Sequence, residues 1–489
     1  MSRRVASGRA AGVRTALLPR LRAEAWALIA LATPIIGSQL ASVGAGFLDT
    51  VMAGHAGATE QAVVGLGVAI WAPVFLALMG IVQAVSPLVA HHFGAGDDRA
   101  IVHDARQGLQ LAAVLGLLPA LAMPFAPDLL RAFDTPEALI PQTVLFLWGT
   151  AVGMPAALMF RALGFYSASI NRPTPAMVLS VAGLAVNALF NWLLIHGHAG
   201  LPRLGGAGCG WATGLSMWAQ CLALAGYLVV SPAYRRWPVM AGWSRPDAAV
   251  WRRLLRLGLP MGGANLAEVA AFTGVALMIS SLGATTVAAH QAALNFAALM
   301  FMLPAGLSAA LSIRVSQALG SRDGPQARFV AWSGMAVGLA FALAITPVVL
   351  AARPLIAAVY SSDAAVQALI AQLLLFAAAW HWADAAQVCA VGALRGYRVT
   401  LLPMLMMVAA YWGLAIPLGA ALCDHGWPAL GWPPMGVRGY WVGLLVGLVA
   451  MAAAVSALLG RSASRTARLL NPRVLPGGAA RADAGPPAP

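Results

Sequence analysis

Apolar and small residues run along this chain in blocks of 20 or more, separated by short polar stretches, from about Ala25 to Gly460. A bilayer core about 30 Å thick needs roughly 20 such residues per helix. Only helices and closed barrels satisfy their backbone groups there, so each block predicts one membrane-spanning helix. Segmentation by hydropathy gives twelve spans: 24–53, 60–90, 103–124, 139–165, 174–196, 207–230, 250–281, 285–318, 328–351, 365–392, 400–422 and 436–460. The predicted fold class is an all-α integral membrane protein. A composition that is 60% hydrophobic and 9% charged, with mean hydropathy +0.79, agrees; soluble domains carry about 25% charged residues.

All 30 basic residues are arginines, and the formal charge is +14. Such a balance could indicate nucleic-acid binding, but the placement of the arginines argues against a nucleic-acid partner. With the N-terminus taken as cytoplasmic, 26 arginines fall on that side. They include six in the N-terminal tail (Arg3 to Arg22), Arg161 and Arg172 around the 4/5 loop, and Arg395 and Arg398 in the 10/11 loop. Only Arg131, Arg203, Arg353 and Arg438 fall opposite. The positive-inside rule then puts both termini in the cytoplasm. No arginine is expected deep in a span. The four cysteines lack CxxC spacing, so neither a disulfide framework nor a zinc site is indicated.

The chain repeats itself at an offset of 226: between 34–97 and 260–323, 19 of 64 positions are identical without a gap. Each copy holds six spans, an even number, so both enter the membrane with the same polarity. Parallel repeats of this kind occur in secondary transporters, with the substrate between the halves; duplication without transport is the other reading. The expected organisation is a cytoplasmic Arg-rich tail (1–23), an N-terminal six-helix lobe (24–230), an inter-lobe linker (231–249), a C-terminal six-helix lobe (250–460) and a disordered tail (461–489). Pro34 and Pro260 fall at matching places in the first span of each half, as hinges or as static kinks.

Three carboxylates stand inside spans: Asp49 in "GFLDTVMAG", Glu268 in "LAEVAAF" and Asp384 in "AWHWADAAQ". A carboxylate at bilayer depth costs at least about 2.5 kcal/mol, so it turns inward and usually marks an ion or proton path. Helical spacing puts Trp380, His381 and Gln387 beside Asp384, and Asn265 and Phe272 beside Glu268. Gln291 and Asn295 are one turn apart in span 8, as are Asn187 and Asn191 in span 5, and span 6 offers Thr213. Such amides serve either as cation ligands or as interhelical hydrogen bonds. Na⁺ is expected at Asp49, Asn187, Asn191 and Thr213, or at Glu268 and Asp384. Gln291, Asn295, Trp380 and Phe272 are the candidates for lining a substrate cavity.

The segments "FLDTVMAG", "SPLVAHHFGAG", "LPMGGANLAEVAAF", "LGATTVAAHQAALN", "MLPAGLSAALSIRVSQALG" and "ADAAQVCAVGALRG" resemble the multidrug and toxic compound extrusion (MATE) family, in its bacterial NorM-like branch. The resemblance implies two pseudo-symmetric six-helix lobes and a non-enzymatic antiporter that exports organic cations against Na⁺ or H⁺ by alternating access, working as a monomer without a cofactor. It carries ion-coupling roles onto Glu268 and Asp384, and a polar-cluster role onto Asp49, Asn187, Asn191 and Thr213. Where several relatives place a tyrosine one turn before the span 10 carboxylate, this chain has Trp380. The alternative is a lipid-linked precursor flippase of related architecture, which is expected to carry basic residues in its central cavity.

Overall fold

The computed structural model describes residues 2–242, 244–426, 431 and 433–470, and side chains from Leu18 onward. Among these residues, twelve helices are long and apolar enough to cross a membrane. They are α1 (Leu18–Ala56), α2 (Ala58–Ala95), α3 (Asp98–Ala132), α4 (Ile140–Ser169), α5 (Thr174–His196), α6 (Gly206–Val230), α7 (Ala248–Leu282), α8 (Ala284–Gly320), α9 (Gly324–Tyr360), α10 (Ala364–Gly396), α11 (Leu401–Asp424) and α12 (Val437–Leu469). The end of the bundle at which α1 begins and α12 ends is called the terminal face below, and the other end the distal face.

Helix boundaries depart from the hydropathy spans where polar residues still suit a helix. The first helix begins at Ser2, so the Arg-rich segment continues α1. At the other end α12 runs to Leu469, where the chain was expected to leave the helix near Gly460. "RSASRTARLL" contains no breaker before Pro472, and Arg461, Arg465 and Arg468 share an exposed face. That overturns disorder for 461–469; the rest of the expected tail, 471–489, lies outside the described residues. Both α1 and α7 stay helical through Pro34 and Pro260. The interruptions lie elsewhere: a turn at Gln83 and Ala84 breaks α2, and α11 is π-helical over Ala409–Ala415.

Helices pack in two sets related by the repeat. In the first lobe α4 packs on α6 and α3, and α5 on α1 and α6; in the second, α10 packs on α12 and α9, and α11 on α7 and α12. The lobes meet where α2 packs on α7 and α8, and α1 on α8. Small residues make this seam. A Cβ on Gly80 would lie 2.7 Å from the Gly262 Cα, and one on Gly306 would fall on the Ile36 side chain. Nearer the terminal face, a Cβ on Gly94 would fall on the Gln317 carbonyl oxygen, and one on Gly320 on the His91 carbonyl oxygen. Gly80 and Gly306, Gly94 and Gly320, Ile36 and Gly262, and His91 and Gln317 are all pairs at the 226-residue offset, so the seam has its own pseudo-two-fold axis.

Charged pairs flank the seam on the same face. Arg314 of α8 donates to both oxygens of Glu24 on α1, at 2.5 and 2.8 Å, with Glu24 only 5% exposed. Asp104 of α3 takes His92 of α2 at 3.1 Å and Arg253 of α7 at 3.8 Å. The segment joining the lobes is laid along α3: Arg106 donates to the Val239 carbonyl, Gln107 to that of Arg245, and Gln110 to that of Ser244, at 2.7 to 2.9 Å. Asp247, which caps α7 and contacts His103, has its carboxyl held below the usual range, chiefly by the Ala249 amide. The four cysteines are buried and unpaired.

Because bare backbone forms the terminal-face seam, Gly94→Val or Gly320→Val should force the lobes apart there. With spin labels at exposed Arg99 and Arg322, either substitution is expected to move the main distance population to longer values; an unchanged distribution would contradict the packing described.

Candidate functional site: a charged cavity between the lobes

Between the lobes lies a cavity of about 660 Å³, walled by α1, α2, α4 and α5 of the first lobe and α7 to α11 of the second. Most of its wall is apolar. Phe75, Phe165, Phe272, Phe296, Phe301 and Trp380 contribute rings, and Met79, Met300, Met302 and Met407 thioethers. Such surfaces suit bulky, flat, cationic ligands through cation–π contact and adaptable packing.

Two of the three carboxylates predicted inside spans face this space. Glu268 of α7 and Asp384 of α10 both line the second-lobe wall, Asp384 being 6% exposed. Behind them stands an aromatic group. Phe272 stacks on Trp380 at 5.4 Å, Trp380 meets Trp441 at 5.7 Å, and Phe272 meets Tyr411 edge-on at 5.7 Å. Tyr411 comes from the π-helical turn of α11, a distortion that recurs at functional sites. His290 is occupied in packing, accepting from the Trp441 indole N–H at 3.2 Å. Gln387, one turn beyond Asp384, lines the cavity with its buried Oε1 unpartnered. Asn265 also lines it, and donates across the seam to the Leu76 carbonyl at 3.1 Å.

The third carboxylate sits elsewhere. Asp49 of α1 is enclosed within the first lobe, 5% exposed, and is not among the cavity's lining residues. Asn191 donates to its Oδ1 at 2.6 Å and Thr213 to its Oδ2 at 2.9 Å. Asn191 also donates to Asn187 at 3.1 Å, and Asn187 to Thr213 at 3.4 Å. All four residues of the expected polar cluster therefore meet. The Asn191 Oδ1 is buried without a partner, leaving an amide oxygen beside a carboxylate. Hard-cation sites are built from such oxygens.

Two expectations about the cavity need correcting. Gln291 and Asn295 are exposed and do not line it; Asn295 instead accepts from the Tyr360 hydroxyl of α9 at 2.8 Å. Their one-turn spacing put them on one helix face, and packing turned that face away. Conversely, Arg161 and Arg395 do not lie in loops. Both are helical and line the cavity, Arg161 about two turns inside α4 and Arg395 in the last turn of α10, so the expectation of no arginine deep in a span fails at Arg161. Helix α4 runs on to Ser169 because its stop is the turn at Asn171, with φ of 61°, followed by Pro173. Helix α10 likewise runs to Gly396.

A model of the MatE family matches residues 34–193 and 260–421, one copy per lobe. The chain belongs to this family. It is 41% identical to a probable multidrug resistance protein NorM of Chromobacterium violaceum, covering 91% of this chain and 95% of that one. It is also 41% identical to the multidrug resistance protein PmpM of Pseudomonas aeruginosa, over 92% and 94% respectively, and 39% identical to NorM of Vibrio cholerae, over 88% and 94%. The fold matches the eukaryotic MATE transporter AtDTX14 at a TM-score of 0.80 and 19% identity, covering 92% and 99% of the two chains. An outward-facing multidrug resistance MATE family transporter matches at 0.80 with 17% identity, covering 91% and 96%. This MATE protein is accordingly a multi-pass membrane transporter and not an enzyme.

The Asp49 cluster yields a stability prediction. Asn191→Ala leaves Asp49 with Thr213 alone and should cost about 1–2 kcal/mol. Thermal unfolding in detergent should show a lowered midpoint for Asn191→Ala and a smaller shift for Thr213→Val; no shift in either would mean that these bonds do not hold α1, α5 and α6 together.

Proposed function

We propose that this MATE protein exports organic cations across a bacterial inner membrane, exchanging them for Na⁺ or H⁺ by alternating access, with the terminal face in the cytoplasm. The arginine asymmetry of the loops supports that orientation. The observation that carries the function is the placement of Glu268 and Asp384 on one wall of an aromatic cavity at the seam between the repeats. A carboxylate there attracts either a cationic substrate or the coupling cation, and the two compete. Each ligand shifts the lobes only by its differential affinity for the two conformers. Asp49, with Asn187, Asn191 and Thr213, is the second coupling position, enclosed in the first lobe.

In this reading 24–230 and 250–460 rock as two bodies, with 231–249 carried by the first because α3 holds it. Pro34 and Pro260 are the flexible points of α1 and α7. Binding of H⁺ or Na⁺ neutralises the carboxylates, weakens the hold on the organic cation and favours its release. The monomer is the working unit.

Arg161 and Arg395 lend some support to the flippase alternative, since an anionic lipid-linked diphosphate would pair with them. The two carboxylates facing them would repel that substrate, which favours the antiporter. Uptake of a fluorescent organic cation into everted vesicles, under separate Na⁺ and pH gradients, tests the choice; dependence on neither gradient would favour the flippase. In the same assay Asp384→Asn and Asp49→Asn should each reduce gradient-driven uptake to the level of empty vesicles while the protein remains folded. Full transport by both variants would remove this mechanism.

A further inference from the structure

The end of α12, beyond Gly460, carries a stripe of like charge. Arg461, Arg465 and Arg468 are all exposed, recur at helical spacing, and line one surface groove together with Ala457, Gly460 and Ser464. Other arginines near the terminal face are matched: Arg236 pairs with Asp98, Arg253 with Asp104 and Arg314 with Glu24. Among the described residues no carboxylate pairs with the three on α12, and the helix itself contains no acidic residue. Like charges one turn apart disfavour a helix, so α12 runs on past Gly460 against its own repulsion. Its counterpart in the first lobe, α6, ends at Val230 before Pro232 and has no such extension.

Packing on α9 fixes the level of these charges. A Cβ on Gly324, at the start of α9, would lie 2.9 Å from the Ala467 Cα, and one on Gly460 would stand 3.7 Å from the Trp332 ring. Trp332 is 40% exposed and stands about 12 Å in from the end of α9. Exposed indoles gather where hydrocarbon meets headgroups, and Arg461 begins at the level that Trp332 marks. From Arg461 to Arg468 the helix rises about 10 Å, but long side chains lean toward a helix N-terminus, here back toward the membrane. Headgroup depth is therefore where the guanidiniums gather. Nearer the bilayer centre, Ala453 and Ala457 are exposed on the same face and leave room for an acyl chain. We infer that the end of α12 binds an anionic phospholipid of the leaflet at the terminal face, with its phosphate held by Arg461, Arg465 and Arg468. A guanidinium fork pairs with two phosphate oxygens at once, and the Ser464 hydroxyl adds a donor in the same groove. With no acidic side chain lining the groove, the cationic half of a zwitterionic headgroup finds no partner there.

Native mass spectrometry of delipidated protein in a neutral detergent, titrated with dioleoylphosphatidylglycerol or dioleoylphosphatidylcholine, tests the site independently of transport. Wild type should take up its first phosphatidylglycerol at least about tenfold more tightly than phosphatidylcholine. The triple variant Arg461→Gln, Arg465→Gln, Arg468→Gln should lose that preference. Removing the same charge from scattered exposed positions of this face, with Arg99→Gln, Arg235→Gln and Arg322→Gln, should leave it within about twofold of wild type. Arg465→Gln alone should lower it part-way, and carries the test if the triple variant is not monodisperse. Full preference in the clustered variant, or no preference in wild type, overturns the site. Equal loss in the clustered and scattered variants would make the attraction a property of the whole basic face and overturn it too. Inorganic phosphate in excess should leave the lipid bound; displacement would assign the groove to a free anion instead.

Discussion

Hydrocarbon does not hold an uncompensated charge, and the few charges within this bundle mark where its interior is not hydrocarbon. Glu24 is answered by Arg314, and Asp104 by His92 and Arg253, so these carboxylates clasp helices at the terminal face. Asp49 is answered by neutral donors only, and Glu268 and Asp384 stand on the wall of a cavity. The difference in partners separates carboxylates that hold the fold from carboxylates left available to a mobile cation.

The seam supplies the other half of the account. Glycine on backbone at Gly94, Gly320 and Gly80, and Gly306 under the Ile36 side chain, lets the two lobes approach closely. Buried clusters also cross the seam: Leu28, Leu31 and Ala32 of α1 belong to the second-lobe core, and Val250, Leu254 and Met261 of α7 to a first-lobe core, so parting the lobes also parts these apolar contacts. The Glu24–Arg314 pair and the Asp104 group then set how firmly the terminal face is shut. Their position beside a glycine seam makes closure a balance of these contacts against ligand occupancy.

Much of this was legible in the residues. Hydropathy located twelve spans, and the 226-residue repeat agrees with the two matches of the family model at 34–193 and 260–421. The Asp49 cluster was readable because Asn187 and Asn191 share a helix face that the carboxylate needs. Arg161 lay within the hydropathy span 139–165 but was counted with the 4/5 loop, and Arg395 fell just outside the span 365–392, whereas α4 runs on to Ser169 before the turn at Asn171 and α10 runs to Gly396. Gln291 and Asn295 were misplaced because periodicity says which residues share a face, and tertiary packing decides where that face points. The π-helical turn that brings Tyr411 behind the carboxylates ends just before Pro417, which has no N–H to return to the Gly413 carbonyl, and it packs against α7 and α12.

The central claim is that an organic cation and a coupling cation contend for the same carboxylates. Counting the cations displaced on binding tests it most directly: purified protein in weakly buffered solution, equilibrated with labelled Na⁺, is titrated with a non-titrating organic cation while a pH indicator reports H⁺. The account predicts release of H⁺ or Na⁺ on binding by wild type, and binding without release when Glu268 and Asp384 are both replaced by their amides. Tight binding by wild type with neither ion released would contradict it.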